Sequence, residues 1–559
     1  MNRNVESHFA LNPTNIDIRR STFDRSHSLK TSFNVGDIVP FFIDEVLPGD
    51  TFNVDTSKVV RLQTLLTPVM DNIYLDTYYF FVPNRLTWSH WKQFNGENTE
   101  SAWVPQTEYE IPQVTAPADT GWSVGTIADY LGVPTGVPNL SVSALPFRAY
   151  ALVMNEWFRD ENLSDPLVVP VDDATVAGVN TGTFVTDVAK GGLPYKAAKY
   201  HDYFTSCLPA PQKGPDVLIP SATSGEFPVV PRANRIDPEL IGSQKYTAIV
   251  SPAGASMINA SLAFDSAGNQ VSNGYAQTGN GGTAVIDNLY AISSAGLGAS
   301  INQLRMAFQI QKLYEKDARG GSRYIEIIKS HFGVTSPDAR LQRPEYLGGN
   351  RIPININQVV QQSATASGET AQGTVTGMSV TTDTHSDFTK SFTEHGFVIG
   401  VMVARYDHTY QQGLERFWSR KDRFDFYWPV FANIGEQAVK NKEIYAQGPS
   451  KKDKAGNVID DQVFGYQEAW ADYRYKPSRV TGEMRSQYAQ SLDVWHLADD
   501  YSALPTLSDS WIREDKSNVD RVLAVTSSVS NQLFADIYIK NRTTRPMPMY
   551  SIPGLIDHH

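Results

Sequence analysis

The chain has 559 residues, 41% of them hydrophobic and 19% charged, with a formal net charge of −12. This composition excludes a disordered tether, and the negative balance excludes coating a nucleic acid by overall electrostatics, because phosphate neutralisation needs clustered Lys and Arg. The single cysteine, Cys207, excludes an internal disulfide and a cysteine-based metal cluster.

No apolar run approaches the ~18 residues of a membrane helix, so no membrane insertion is expected. The first twenty residues lack the apolar core of a signal peptide, which points to synthesis and folding in a cytoplasm. The terminal Asp557-His558-His559 is too short for a metal site. Low charge combined with 26 Tyr and 26 Phe suggests that much of the surface ends up against another surface.

Along the chain, strands come first. Leu29 to Gly36 leads into Ile38 to Ile43, and Leu47-Pro-Gly-Asp50 supplies the residues of a reversal. Thr51 to Asp55 alternates apolar and polar, and Ile73 to Val82 is a long β-rich run closed by Pro83 and Asn84. Strands joined by tight turns favour an antiparallel sandwich or barrel.

A mixed region follows, with Trp88, Trp91, Trp103 and Trp122 among Gly, Pro and Asn. A helix is expected over 146–163, where Tyr150, Val153, Met154 and Trp157 share a face behind Pro146. Residues 217–300 turn Gly-, Ser-, Ala- and Thr-rich, with short alternating pieces such as Tyr246 to Val250, as in an inserted surface excursion. A helix pair comes next: Leu304, Ala307, Ile310 and Leu313 or Tyr314 line one face, Gly320-Gly321 interrupts, and Tyr324, Ile327, Ile328 and His331 resume. Residues 361–387 look like loop. Gly396 to Arg405 suits a buried central strand, and Arg521 to Val525 and Gln532 to Ile539 are expected as two more strands.

Known catalytic patterns are missing. The chain has no GxxxxGK[ST] loop, no GxGxxG after a strand, no HExxH and no GxSxG. His331, His395 and His408 are dispersed and expected to be structural, and Cys207 to be a buried free thiol. The pairs Asp422/Asp425 and Asp499/Asp500 nominate no glycosidase site. No catalytic residue, metal site or cofactor is assigned.

Several segments carry a resemblance. They are Thr31-Ser-Phe-Asn-Val-Gly-Asp-Ile-Val-Pro40, Phe147-Arg-Ala-Tyr150 running to Asn155-Glu-Trp-Phe-Arg-Asp-Glu-Asn162, and Lys199-Tyr-His-Asp-Tyr-Phe-Thr-Ser206 with Pro209-Ala-Pro-Gln-Lys213. Tyr324 to Val334, Arg343 to Gly349 and Tyr466 to Pro477 continue the series. Together they resemble the major capsid proteins of gokushovirus-type microviruses.

The resemblance implies a mainly β fold: a viral eight-stranded antiparallel jelly roll with long inter-strand loop and helix insertions. The expected organisation is an N-terminal arm over 1–30, then one capsid domain over 31–559 with insertions at about 84–395, including a protrusion at about 217–300. The implied function is structural. Copies form pentamers and a T=1 shell around circular single-stranded DNA, with a small basic packaging protein, a scaffolding protein during assembly, and a host receptor met by the exposed loop. The expected location is the virion, assembled in the host cytoplasm. The alternative is a carbohydrate-binding or carbohydrate-active β-sandwich.

Single-stranded DNA is held by stacking on aromatics and by cations along the backbone. Three segments fit locally: Arg19, Arg20, Phe23, Arg25 and Lys30 near the start; Arg416, Phe417 and Trp418; and Lys540, Arg542, Arg545 and Tyr550 near the end. For each, the competing role is a subunit contact or a solvated face.

Overall fold

The computed structural model describes residues 19–97, 108–217, 301–363 and 371–550, and within 218–300 the strands 229–231, 245–250, 261–264, 270–273, 285–286 and 289–291. Trp103, the terminal Asp557-His558-His559 and most of the 217–300 excursion lie outside the described residues.

The first strands are β1 (Ser21–Asp24), β2 (His27–Phe33), β3 (Val39–Val46), β4 (Thr51–Leu62) and β5 (Ile73–Pro83). The helices α1 (Leu145–Val153), α2 (Ile301–Gly320) and α3 (Tyr324–Phe332) follow, then β6 (Glu345–Pro353), β7 (Thr381–Ser391), β8 (Gly396–Tyr406) and β9 (Leu533–Arg545). One sheet runs β1/β2–β9–β4–β7 and the other β6–β5–β8–β3, all antiparallel. Taking β1 and β2 as one kinked edge strand, eight strands form two four-stranded sheets and the chain crosses between them at every step except β5 to β6, which is the jelly-roll order.

Residues from both sheets share one core. Phe33, Phe52, Val60 and Ile537 meet Phe41, Leu75, Tyr79 and Met402. The sequence pattern of each strand follows from what covers it. β9 alternates buried and exposed along its length, because its outer face is open. β8 is apolar from Gly396 to Ala404 because both faces are covered: Val398, Met402 and Ala404 enter the shared core, while Ile399, Val401 and Val403 lie under α1 and Trp122.

Five expectations need correction. Part of the segment assigned to an arm over 1–30 is framework, since β1 and β2 pair with β9 from Ser21 onward. Strand pairing occurs inside the 361–387 stretch expected as loop, at Val375–Ser379 and in β7. β6 and β7 also fall within the interval assigned to insertions. Arg521 to Val525 forms no strand; Ser517–Val522 is helical, burying Val519 and Val522 at i, i+3. The helix expected over 146–163 ends its α-turns at Val153 and continues as a wider π-type turn, Met154–Phe158.

Contacts divide the chain into two units, Met1–Lys213 with Glu315–His559, and Gly214–Tyr314. The second unit has its own antiparallel sheet, ordered Gln270–Asn273, Ser261–Phe264, Lys245–Val250, Val285–Ile286, and a separate pair of Val229–Pro231 with Leu289–Ala291.

β6 approaches β5 at a register shift between Tyr346 and Gly348. A Cβ on Gly349 (φ +153°) would lie 2.0 Å from the Thr77 carbonyl oxygen, and one on Gly348 2.3 Å from that of Asp387. Gly349→Ala is therefore expected to destabilise the unassembled subunit by about 3 kcal/mol. A denaturant midpoint equal to wild type would show that the edge strand yields instead.

Candidate nucleic-acid and subunit-contact surfaces

The open face of the β9 sheet gathers residues from both ends of the chain. β9 presents Phe534, Asp536, Tyr538, Lys540 and Arg542 outward. Antiparallel register sets Lys30 opposite Asp536 and Asp24 opposite Arg542 on one side, and Asp55 opposite Lys540 on the other. Lys30 pairs with Asp536 at 3.6 Å and Lys540 with Asp55 at 3.3 Å, both in solvent. Such exposed pairs hold each other by ~0–1 kcal/mol and exchange readily for a phosphate. Hydroxyls fill the rest, including Thr22–Thr544 at 2.9 Å and Ser57–Thr384 at 3.1 Å. Arg19 is exposed at the entry to β1, Arg20 donates to the Gly49 carbonyl at 2.8 Å, and Tyr550 is exposed beyond β9.

Three of the nominated groups are turned elsewhere. Phe23 sits half-buried on the other side of β1 from Asp24. Arg25 grips both oxygens of the buried Asp44 at 2.5 and 2.7 Å, which ties the β1/β2 bend to β3. Arg545 bonds the Glu45 carbonyl at 2.6 Å and pairs with the fully buried Asp50 at 3.1 Å. Burial raises the Asp50 carboxyl above its usual range, against the Leu47 amide and Arg545 that favour its ionised form. These two arginines are internal clamps; a basic residue in a linear segment does not reveal whether a carboxylate is waiting for it.

The same applies to Arg416. Its guanidinium is held by Glu443 at 3.2 Å, by Gln437 at 2.8 Å and by the Ala438 carbonyl. Phe417 and Trp418 remain exposed, with ring centroids 4.8 Å apart.

A cleft of about 980 Å³ opens beside the outer side of β5, β6 and β8. The π-type turn after α1 aims Trp157 and Phe158 at it, where they meet Tyr78, Phe80 and Tyr346. At its floor the buried Asp76 accepts from Arg351 at 2.6 Å, Arg405 at 2.6 Å and Tyr200 at 2.9 Å. Burial opposes its charge, but the two guanidiniums prevail and hold its carboxyl below the usual range. Both guanidiniums stack on Tyr200, at 4.4 and 4.2 Å. Burial pushes the Tyr78 phenol up to about 12. Aromatic faces alternating with guanidiniums suit a planar ring or an anion. The lining comes from segments spread over residues 78–405, so no local motif announces it.

The titratable residues set aside as structural are occupied. His331 meets Asp317 at 2.7 Å, and His395 packs edge-on against Trp91. Cys207 is buried, and burial pushes its thiol well up. Asp422 and Asp425 cap a single turn of 3-10 helix. Asp499 is sealed against His408. Among the described residues, no group of three His, Cys, Asp or Glu could hold a metal ion, and no helix is long and apolar enough to cross a membrane.

The pattern of the family described as "Capsid protein (F protein)" matches residues 13–555. The chain is 43% identical to capsid protein VP1 of Chlamydia phage 1, over 99% of this chain and 98% of that one. It is 43% identical to capsid protein VP1 of Spiroplasma virus 4, over 96% of each, and 42% identical to that of Bdellovibrio phage phiMH2K, over 99% and 98%. With its strand order and its full-length match, the chain belongs to the phage capsid (F protein) family in its gokushovirus-type branch, and is a structural capsid subunit of a bacteriophage virion.

Proposed function

We propose that roughly 60 copies of this chain close into a T=1 icosahedral shell, by way of pentamers, around a circular single-stranded DNA genome. The observation that carries this reading is the framework: strands from the two chain ends interleave in one two-sheet wall, within a chain that matches capsid proteins along its whole length. The subunit acts by assembly and not by catalysis. It assembles in the host cytoplasm with a scaffolding protein, and residues 217–300, within the unit Gly214–Tyr314, form the protrusion that meets the host receptor.

Charge sets a further requirement. At −12 each, roughly 60 copies carry about −720 before any genome is added. Packing a polyanion inside such a shell calls for a small basic packaging protein. Gel analysis of purified particles tests this directly; particles holding only this chain and DNA contradict it.

The DNA-facing surface in this reading is the open face of the β9 sheet, where Lys30, Lys540 and Arg542 offer exchangeable cations beside Tyr538. Replacing all three by alanine is expected to lower the salt slope of single-stranded DNA binding by about 2, at about 0.7 per phosphate contact. An unchanged slope, with Arg351→Ala lowering it instead, would move the DNA into the cleft.

A further inference from the structure

One surface is apolar beyond what a lone subunit tolerates. The ten consecutive residues 421–430 are all exposed, and they include Phe424, Phe426, Tyr427, Trp428 and Val430. Phe417 and Trp418 precede them, and Tyr473 and Tyr475 adjoin, each 40–66% exposed. Contacts make this one belt. The Arg420 guanidinium lies 4.3 Å from the Tyr473 ring and 5.5 Å from that of Phe426, Tyr427 packs on Tyr473 and Trp470, and Lys476 covers Phe417.

The belt is held rigidly although it contains only short 3-10 turns. Arg416 fastens it to Glu443 and Arg420 to Asp472; the Trp470 indole N–H donates to the Phe431 carbonyl at 2.9 Å, and that of Trp428 to the Arg423 carbonyl at 2.8 Å. Its rings are exposed by construction, so little ordering entropy remains to be lost when a partner covers them.

We infer that this belt is a contact between copies of the chain in the shell. The occupant follows from area, composition and charge. Eight aromatic rings exposed by about half each present roughly 800 Å², the area one partner contributes to a standard protein interface. Trp, Tyr, Phe and Arg at a patch centre are the residues that dominate protein–protein binding.

DNA fits less well, because the two arginines at the centre of the belt are held in largely buried pairs, Arg416 by Glu443 and Arg420 by Asp472, and the exposed Lys476, Arg479 and Arg474 are offset by Glu415 and Glu468 beside them. Lys421 and Arg423 form no ion pair among the described residues, and the carboxylates of Asp422 and Asp425 on the same turn offset their charge. The net charge offered to a polyanion is near nil.

The inference rests on the assembly of this chain into shells. Hydroxyl-radical footprinting of the wild-type protein, comparing intact empty shells with dissociated subunits, tests it without relying on a variant. Protection of Phe424, Tyr427 and Trp428 by about tenfold in empty shells is the expected result. Equal labelling in shells and subunits overturns the inference while leaving assembly intact. Protection found only in genome-filled particles assigns the belt to DNA, and protection found only in particles still carrying a second protein assigns it to that protein; either result overturns it.

Assembly yield gives an independent reading. Trp428→Glu should lower particle yield by at least about tenfold, with subunits that keep the wild-type circular dichroism spectrum. Normal yield overturns the inference. If the wild-type chain forms no shells, the assembly reading fails and the belt's role fails with it.

Discussion

Replacing His408 by leucine should destabilise the unassembled subunit by about 3–5 kcal/mol, because it strands two buried carboxylates. The imidazole is 1% exposed and donates from Nδ1 to Asp499 at 3.0 Å and from Nε2 to Glu514 at 3.1 Å. Asp499 also accepts from the Tyr501 hydroxyl and the Asn518 amide, both at 2.7 Å, with Lys199 at 3.8 Å. Burial alone would discharge the ring, but the two carboxylates outweigh it and push its pKa up to about 10. Burial likewise works against the Asp499 charge, and His408 holds that carboxyl well below its usual range. The group joins the end of β8 to the chain that leads into β9, so its loss reaches both sheets.

The pH dependence has a definite sign. A histidine raised from 6.5 to about 10 stabilises the fold fully below 6.5 and loses that contribution as pH rises toward 10. Asp499, lowered on folding, contributes above its ordinary carboxylate range and loses that contribution in acid. Denaturant unfolding of wild type and His408→Leu at several pH values should show a gap that is widest between about pH 5 and 6.5, still large near neutrality, and shrinking toward pH 10. A gap under about 1 kcal/mol near neutrality would mean that water reaches the carboxylates.

How legible the fold was depended on how each strand is covered. β8 was readable as a strand because burial on both faces makes it a nearly continuous apolar run, β5 because it is dense in Tyr, Phe, Ile and Val, and β9 because one open face makes it alternate. β6 and β7 were not, and both are edges of their sheets. Gly348, Gly349, Thr382 and Thr384 carry little apolar surface, since an edge strand is held by pairing and by a few polar contacts. Arg521 to Val525 misled because Val522 and Val525 are β-branched, while burial of Val519 and Val522 selected a helical turn.

Among the site residues, proximity in sequence brought the right aromatics to notice but not the fate of the charges. Trp418 was visible as an exposed stacking group, whereas Arg25, Arg416 and Arg545 are consumed by Asp44, Glu443 and Asp50, which lie 19 to 495 positions away. The full aromatic belt joins 417–428 to 473–475, and the cleft draws on still more distant segments; only the tertiary fold assembles either.

Lys58→Ala is the second large effect, again about 3–5 kcal/mol. Lys58 occupies a core-facing position of β4 at 1% exposure, where a strand with this alternation should carry an apolar side chain. Its ammonium donates to Asn350 on β6 at 2.7 Å and to Thr77 on β5 at 3.4 Å, and pairs with Asp383 on β7 at 3.2 Å. Asn350 in turn donates to Asp383 at 2.9 Å. One cation thereby ties four strands from both sheets, including the two edges, whose buried apolar residues are Ile352 and Phe388. Burial works against the Asp383 charge, yet Asn350 and Lys58 hold its carboxyl below the usual range. A double-mutant cycle of Lys58→Met and Asp383→Asn, read by denaturant unfolding, should give a coupling of about 1–3 kcal/mol. Additivity within about 0.5 kcal/mol would mean that the edges are held by backbone pairing alone, with the buried lysine a passenger. A large coupling would make it the device by which a chain of this composition closes a two-sheet wall whose outer strands carry so little apolar surface.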